Sequence, residues 1–151
     1  MKSIQSLFLL LVFLGIASCG SKKFTIKNID NSAPKPAIVN NAFVINETSS
    51  NPDYGYSKEY PINVGFNSET TSEKNIAFFF NALEGPKSEK ITYQKTTECC
   101  PFSTKRSVLG AGMLQVYEVS FEGIASKKTI YFNVFERGKI ECPVGFSIKK
   151  I

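Results

Sequence analysis

Two hydrophobic periods meet near residue 85, and together they decide what this chain can fold into. Before that point, Ile76, Phe79, Phe80 and Leu83 recur at i, i+3, i+4 and i+7, an apolar stripe on one helical face. Ser72 is a good N-cap, and Glu73 sets negative charge at the positive end of the helix dipole. Gly85 offers a left-handed C-cap and Pro86 prevents continuation. The spacing predicts a helix over 73–84. Phe78 falls off the stripe and is expected to widen the buried face.

From Lys90 the period becomes two. Ile91 to Glu98, rich in Thr and Tyr, reads as a half-exposed strand that ends near Pro101, and Pro101 to Gly112 as a loop. Leu114 to Phe121 is the next strand, and Thr129 to Phe135, nearly all apolar, is expected in the sheet centre. A short strand, Pro61 to Phe66, precedes the helix. The expected fold is α+β: a small antiparallel sheet of about 4–6 strands with the helix on one face, in two layers.

The N-terminus sets a different constraint. Lys2, the apolar run Leu7 to Leu14, and the small residues Gly15 to Ser18 ahead of Cys19 have the three-part layout of a secretory signal peptide. The run is too short to span a bilayer, which takes roughly 20 apolar residues. Ile16-Ala17-Ser18-Cys19 looks like a bacterial lipobox, which makes residues 1–18 the leader and Cys19 the lipidated first residue. Removing 18 of 151 residues leaves 133, enough for one domain. Lys2 leaves too, so 18 basic residues become 17 against 13 acidic, a formal charge of +4. Residues 19–52, with Ala33-Pro34-Lys35-Pro36, read as a tether. Phe24 to Ile26 and Ala42 to Ile45 within it are candidate edge strands, and the domain proper is placed at 53–151. The basic residues are scattered in pairs, so no nucleic-acid partner is expected.

Histidine is absent, which excludes Ser-His-Asp and Cys-His catalysis and every His-ligated metal. Cys99, Cys100 and Cys142 are the remaining unusual chemistry. The expected arrangement is a disulfide from Cys142 to either Cys99 or Cys100. It would close a loop of about 40 residues and stabilise by roughly 3–4 kcal/mol in the chain-entropy model. The alternative is a thiol site of all three, redox-active or holding a soft metal such as zinc or Cu(I). Glu118 and Glu122 share a strand face roughly 13 Å apart, too far for a paired acid and base. Tyr54, Tyr56 and Tyr60 cluster before the first strand, as a ligand groove or as aromatic packing. No metal ligand set or cofactor motif is found.

The stretches DYGYSKEYPINVG, NALEGPKSEKITYQ, CCPF, LQVYEVSFEG, IYFNVFERG and PVGF resemble a family of small lipoproteins from Bacteroidetes. The resemblance implies an anchored envelope protein and supplies no established activity. Some members carry the label 2-dehydro-3-deoxyphosphooctonate aldolase. That enzyme resembles a (β/α)₈ barrel of about 250 residues, unlike the helix and strand meander read here, so the label is set aside. Cys19-Gly20-Ser21 lacks the aspartate that resembles an inner-membrane retention signal. The expectation is therefore a non-catalytic lipoprotein domain of the cell envelope, held by lipid on Cys19 at the periplasmic face of the outer membrane. It would bind an envelope protein or glycan.

Overall fold

The computed structural model describes residues 24–67 and 69–150; the expected leader and Cys19 lie outside them. In chain order the elements are β1 (Ile38–Val39), β2 (Ala42–Phe43), β3 (Ile62–Asn63), α1 (Glu69–Asn81) and β4 (Leu83–Glu84). They continue with β5 (Ile91–Ser103), β6 (Ala111–Phe121), β7 (Lys127–Asn133) and β8 (Ser147–Ile148). The main sheet has the order β3-β7-β6-β5, and β1-β2 and β4-β8 are small antiparallel pairs. The fold is α+β, one helix on a four-stranded sheet. After β3 the chain crosses through α1 to the far edge and meanders back. The returning β7 thus lies beside β3 in parallel, with Asn63 opposite Asn133, and the other two pairings are antiparallel.

Alternation along β7 explains why both faces of this sheet are covered. Ile130 and Phe132 face the helix, and Tyr131 points the other way, as successive strand residues must. On the helix face, Phe132 takes edge contacts from Phe79, Phe80 and Tyr117 at 5.3–5.5 Å. Phe80 also stacks on Tyr93 of β5 at 4.0 Å. Aromatic rings prefer these tilted and offset arrangements, which bind helix to sheet beyond simple area burial. On the other face Ile26, Phe102 and Leu114 are buried together, with Phe24, Cys100, Tyr131 and Phe135 against them.

The helix begins and ends earlier than its spacing predicts. Ser72 is buried inside it rather than capping it, and the buried Asn75 side chain donates to the Val64 carbonyl at 2.9 Å. Polar residues facing inward belong to the helix because a backbone partner awaits them. Leu83 keeps its place in the core but enters β4, paired with Ile148. Gly85 is not left-handed. Its role is close approach, since a β-carbon there would sit 3.1 Å from the Phe121 ring. Phe78 is half-buried against Phe43 at 5.8 Å and widens the apolar face as expected.

β5 does not stop at Pro101. It is an edge strand, so a residue without an N–H costs no ladder bond on the solvent side. Register slips by one residue between Cys99 and Phe102, and again between Lys95 and Thr97. Both are bulges, which bend an exposed edge away from pairing with another chain.

Much of the stretch read as tether is folded. Ile26, Ala33, Ala42, Phe43 and Ile45 are buried. Phe24 to Ile26 forms no strand, and β2 pairs with β1 rather than with the main sheet. Polar contacts hold this segment as firmly. Lys27 N–H donates to the Glu59 carbonyl and Asp30 N–H to the Arg137 carbonyl, each at 2.8 Å. The Asn63 side chain donates to the Asn28 carbonyl at 2.9 Å and accepts from the Asn133 side chain at 2.9 Å. Asn63 and Asn133 are fully buried, so this relay cannot be replaced by water. Asn63→Leu is expected to destabilise the domain by about 1–3 kcal/mol for each partner left unpaired. Urea unfolding followed by circular dichroism measures it, as a lowered midpoint.

Candidate functional site

A groove of about 660 Å³ lies where the N-terminal segment meets the β5–β6 hairpin. Phe24, Ile26 and Ile29 come from the first, and Cys100, Pro101, Phe102 and Ala111 from the second. Each arrives for a local reason. The Cys99–Phe102 bulge turns Phe102 inward onto Ile26, and Phe24 meets its ring edge-on at 6.5 Å. Gly112 leaves room for the ring opposite: a β-carbon there would lie 2.6 Å from Phe135. Lys58 adds the groove's charge, its Nζ standing 5.4 Å from the Phe24 ring centre in cation–π geometry. The arrangement suits an apolar ligand segment next to a negative group.

One end of the hairpin is pinned by a polar cluster. The buried Glu136 carboxylate accepts from the Thr104 hydroxyl through one oxygen and from Asn31 Nδ2 at 2.8 Å through the other. Arg106 donates to Asn31 Oδ1 at 3.1 Å and, through its backbone N–H, to Thr104 Oγ1 at 3.0 Å. The N-terminal segment, the hairpin and the turn after β7 are therefore tied to one another.

The cysteines are not arranged as the spacing suggests. Cys142 does not pair with Cys99 or Cys100; it is fully buried in the main core cluster with a free thiol. Backbone bonds from Cys142 N–H to the Glu47 carbonyl and from Ser49 N–H to the Cys142 carbonyl, each 2.9 Å, fix it there. Cys99 and Cys100 instead form a close pair with each other. Cys100 lies against the second cluster, on the opposite side of the sheet from Cys142. The three thiols thus do not converge. Among the described residues, no group of three or more Cys, Asp or Glu side chains is placed to hold a metal. Cys100 has φ +61°, a left-handed conformation that costs a residue with a β-carbon about 1–3 kcal/mol. The strain sits at the groove wall.

The tyrosines are packing residues. Tyr54 is buried, its hydroxyl donating to the Lys139 carbonyl at 3.1 Å and accepting from Glu141 N–H at 3.2 Å. Burial pushes it well above the usual phenol range. Tyr56 donates to the Val144 carbonyl at 2.6 Å, and burial pushes it up to about 12. Tyr60 lies beneath Lys27 Nζ at 5.4 Å. Glu118 accepts from Lys127 at 2.6 Å on a half-exposed surface, a solvated pair. Nothing in the spacing marks the groove itself, because its walls come from segments some 75 residues apart in the chain.

Comparisons with protein families, with curated proteins and with solved structures find no match to this chain.

Burial pushes the Cys142 thiol from its ordinary 9.0 up to about 11, with a hydrogen bond from Thr48 pulling weakly the other way. The unfolded chain therefore gives up this proton first. The thiol's contribution to stability is intact below pH 9 and is lost as the pH rises towards 11. Cys142→Ala is expected to flatten that part of the curve, measured as urea midpoints from pH 8 to 11. A thiol reagent should label Cys142 in the native chain only as fast as it unfolds.

Proposed function

We infer that this chain is a lipid-anchored envelope lipoprotein whose domain binds another envelope component without catalysing a reaction. The observation that carries the reading is the run Leu7 to Cys19, an apolar core ending in a lipobox-like cysteine. Lipid on Cys19 is the membrane attachment. The groove between Phe24 and Phe102 supplies the binding surface: apolar side chains with one cation, Lys58, and no paired acid and base beside them. Location at the periplasmic face of the outer membrane follows from Cys19-Gly20-Ser21 and remains part of this proposal.

A second reading draws on Cys99 and Cys100. Their close approach and the left-handed Cys100 favour a vicinal disulfide that changes the groove wall when reduced. Only this pair, without Cys142, enters such a thiol site. The aldolase reading receives no support, since the sheet lacks the eight parallel strands of that barrel.

Two measurements test the main reading. Intact mass of the protein taken from membranes is expected to show residues 1–18 removed and acyl chains added at Cys19, with Cys19→Ser released to the soluble fraction. A photo-crosslinking residue at Ser103, in the groove, should trap a defined adduct that the same residue at Glu122 does not. Bare Cys19, or equal labelling from both positions, contradicts the reading. Loss of two hydrogens from the fully reduced mass would support the vicinal disulfide.

A further inference from the structure

The tip of the β5–β6 hairpin exposes two large apolar side chains with nothing against them: Val108 is 106% exposed and Leu109 89%. This is not a floppy turn. Thr104 N–H donates to the Gly110 carbonyl at 3.1 Å and Gly110 N–H to the Ser107 carbonyl at 3.0 Å. Leu109 N–H reaches Ser107 Oγ at 3.3 Å, and Gly110 takes φ +68° to close the loop. The backbone is therefore held so that both side chains point away from the domain. Lys105 and Arg106 precede them on exposed positions, so the tip reads basic, basic, small, apolar, apolar.

The chain outside the described residues says what lies near this tip. Cys19 is five residues before Phe24, so covalent geometry keeps it within about 18 Å of Phe24. Phe24 packs on Phe102, the last residue but one of β5 and so next to the tip. Phe102 lies at the end of β5, and the apex at Ser107 and Val108 belongs to the turn Thr104 to Gly110, so covalent geometry keeps it within about 20 Å of Phe102. Covalent geometry thus keeps both Cys19 and the tip within about 20 Å of one contact, the Phe24–Phe102 pair. Lys22 and Lys23 lie between Cys19 and Phe24 in sequence, and Lys58 and Lys27 stand beside this contact. Asp30 and Glu59, exposed carboxylates that accept from Ser32 and Ser57, stand near this end too. Glu136 is buried under Thr104 and Asn31. Lys27, Lys58, Lys105 and Arg106 outnumber these three carboxylates.

We propose that the β5–β6 tip is a second membrane contact: Val108 and Leu109 enter the interface of an anionic lipid surface while Lys105 and Arg106 meet its phosphates. Lipid on Cys19 fixes one point of attachment, and an apolar wedge with basic neighbours is a second contact that sets which end of the domain meets the bilayer. Arg106 keeps its bond to Asn31 through Nη1 and retains other donors for a headgroup. The inference rests on lipid at Cys19. It fixes which end of the domain faces the bilayer, with the Phe24–Phe102 groove close to the lipid surface.

The chain has no tryptophan, so Leu109→Trp places a single reporter at a solvent-exposed position where folding is not at issue. The full-length lipidated protein is reconstituted into vesicles of phosphatidylethanolamine with phosphatidylglycerol. The expected result is blue-shifted emission from the Leu109→Trp chain and loss of most of it when the acyl chains are brominated. Glu122→Trp, at the far end of β6, should stay water-like under the same conditions. Co-flotation with vesicles but water-like, unquenched emission from Leu109→Trp overturns the proposal while leaving the anchor intact. Equal shifts in both variants overturn it as general adsorption. A chain that does not float with vesicles refutes the anchor and the proposal with it.

Discussion

A relay of three asparagines holds the N-terminal segment, β3 and β7 together. Asn133 donates to Asn63, and Asn63 donates to the Asn28 carbonyl. Asn133 also accepts from Phe135 N–H at 3.0 Å, which shapes the turn leaving β7. Buried amides of this kind are unforgiving, since each bond lost leaves an unpaired polar group in a low-dielectric interior. The packing around the relay is equally tight. A β-carbon on Gly138 would sit 2.9 Å from Asn63 Nδ2 and 3.0 Å from the Asn28 carbonyl. The relay explains why a parallel two-residue strand, too short to be stable by its own ladder, persists at the sheet edge.

The consequence is a sheet with two different covers. The helix seals one face with Phe79 and Phe80 on Phe132. The other is sealed by Phe24 and Ile26, a few residues of chain held by Asn28 and by the Lys27–Glu59 backbone bond. A thin cover over a bulged edge strand does not close completely, and the groove beside Cys100 and Pro101 is what remains open. Site and fold thus share one origin, the return of the N-terminal segment across the second face. It also shortens the distance available between the domain and the anchor proposed at Cys19.

How much of this was readable in the sequence depended on whether the signal was local. The stripe Ile76, Phe79, Phe80 located the helix, and alternation located β6 and β7, because each pattern reports burial of a single element. The helix ends are harder to read: Ser72 looks like a cap but is buried inside the helix, and Leu83 keeps the stripe's core place while pairing with Ile148 in a strand. Pro101 looks like a strand end until the strand is known to be an edge. Residues 24–52 read as tether because their few apolar side chains have no period, although Ile26 and Phe43 are buried by partners far along the chain. The cysteine pairing is illegible for a related reason. Sequence separation says nothing about which face of a sheet each thiol occupies, and Cys142 and Cys100 lie in different clusters.

The domain begins at residue 24, five residues from the anchor proposed at Cys19. Native-state hydrogen exchange reads this out by comparing the Lys27 and Asp30 amides with the Val64 amide, which donates to the Asn133 carbonyl at 2.8 Å. The account expects all three to exchange slowly, opening only with sub-global or global unfolding. Fast exchange at Lys27 and Asp30, at the rate of free chain, beside a protected Val64 would contradict it.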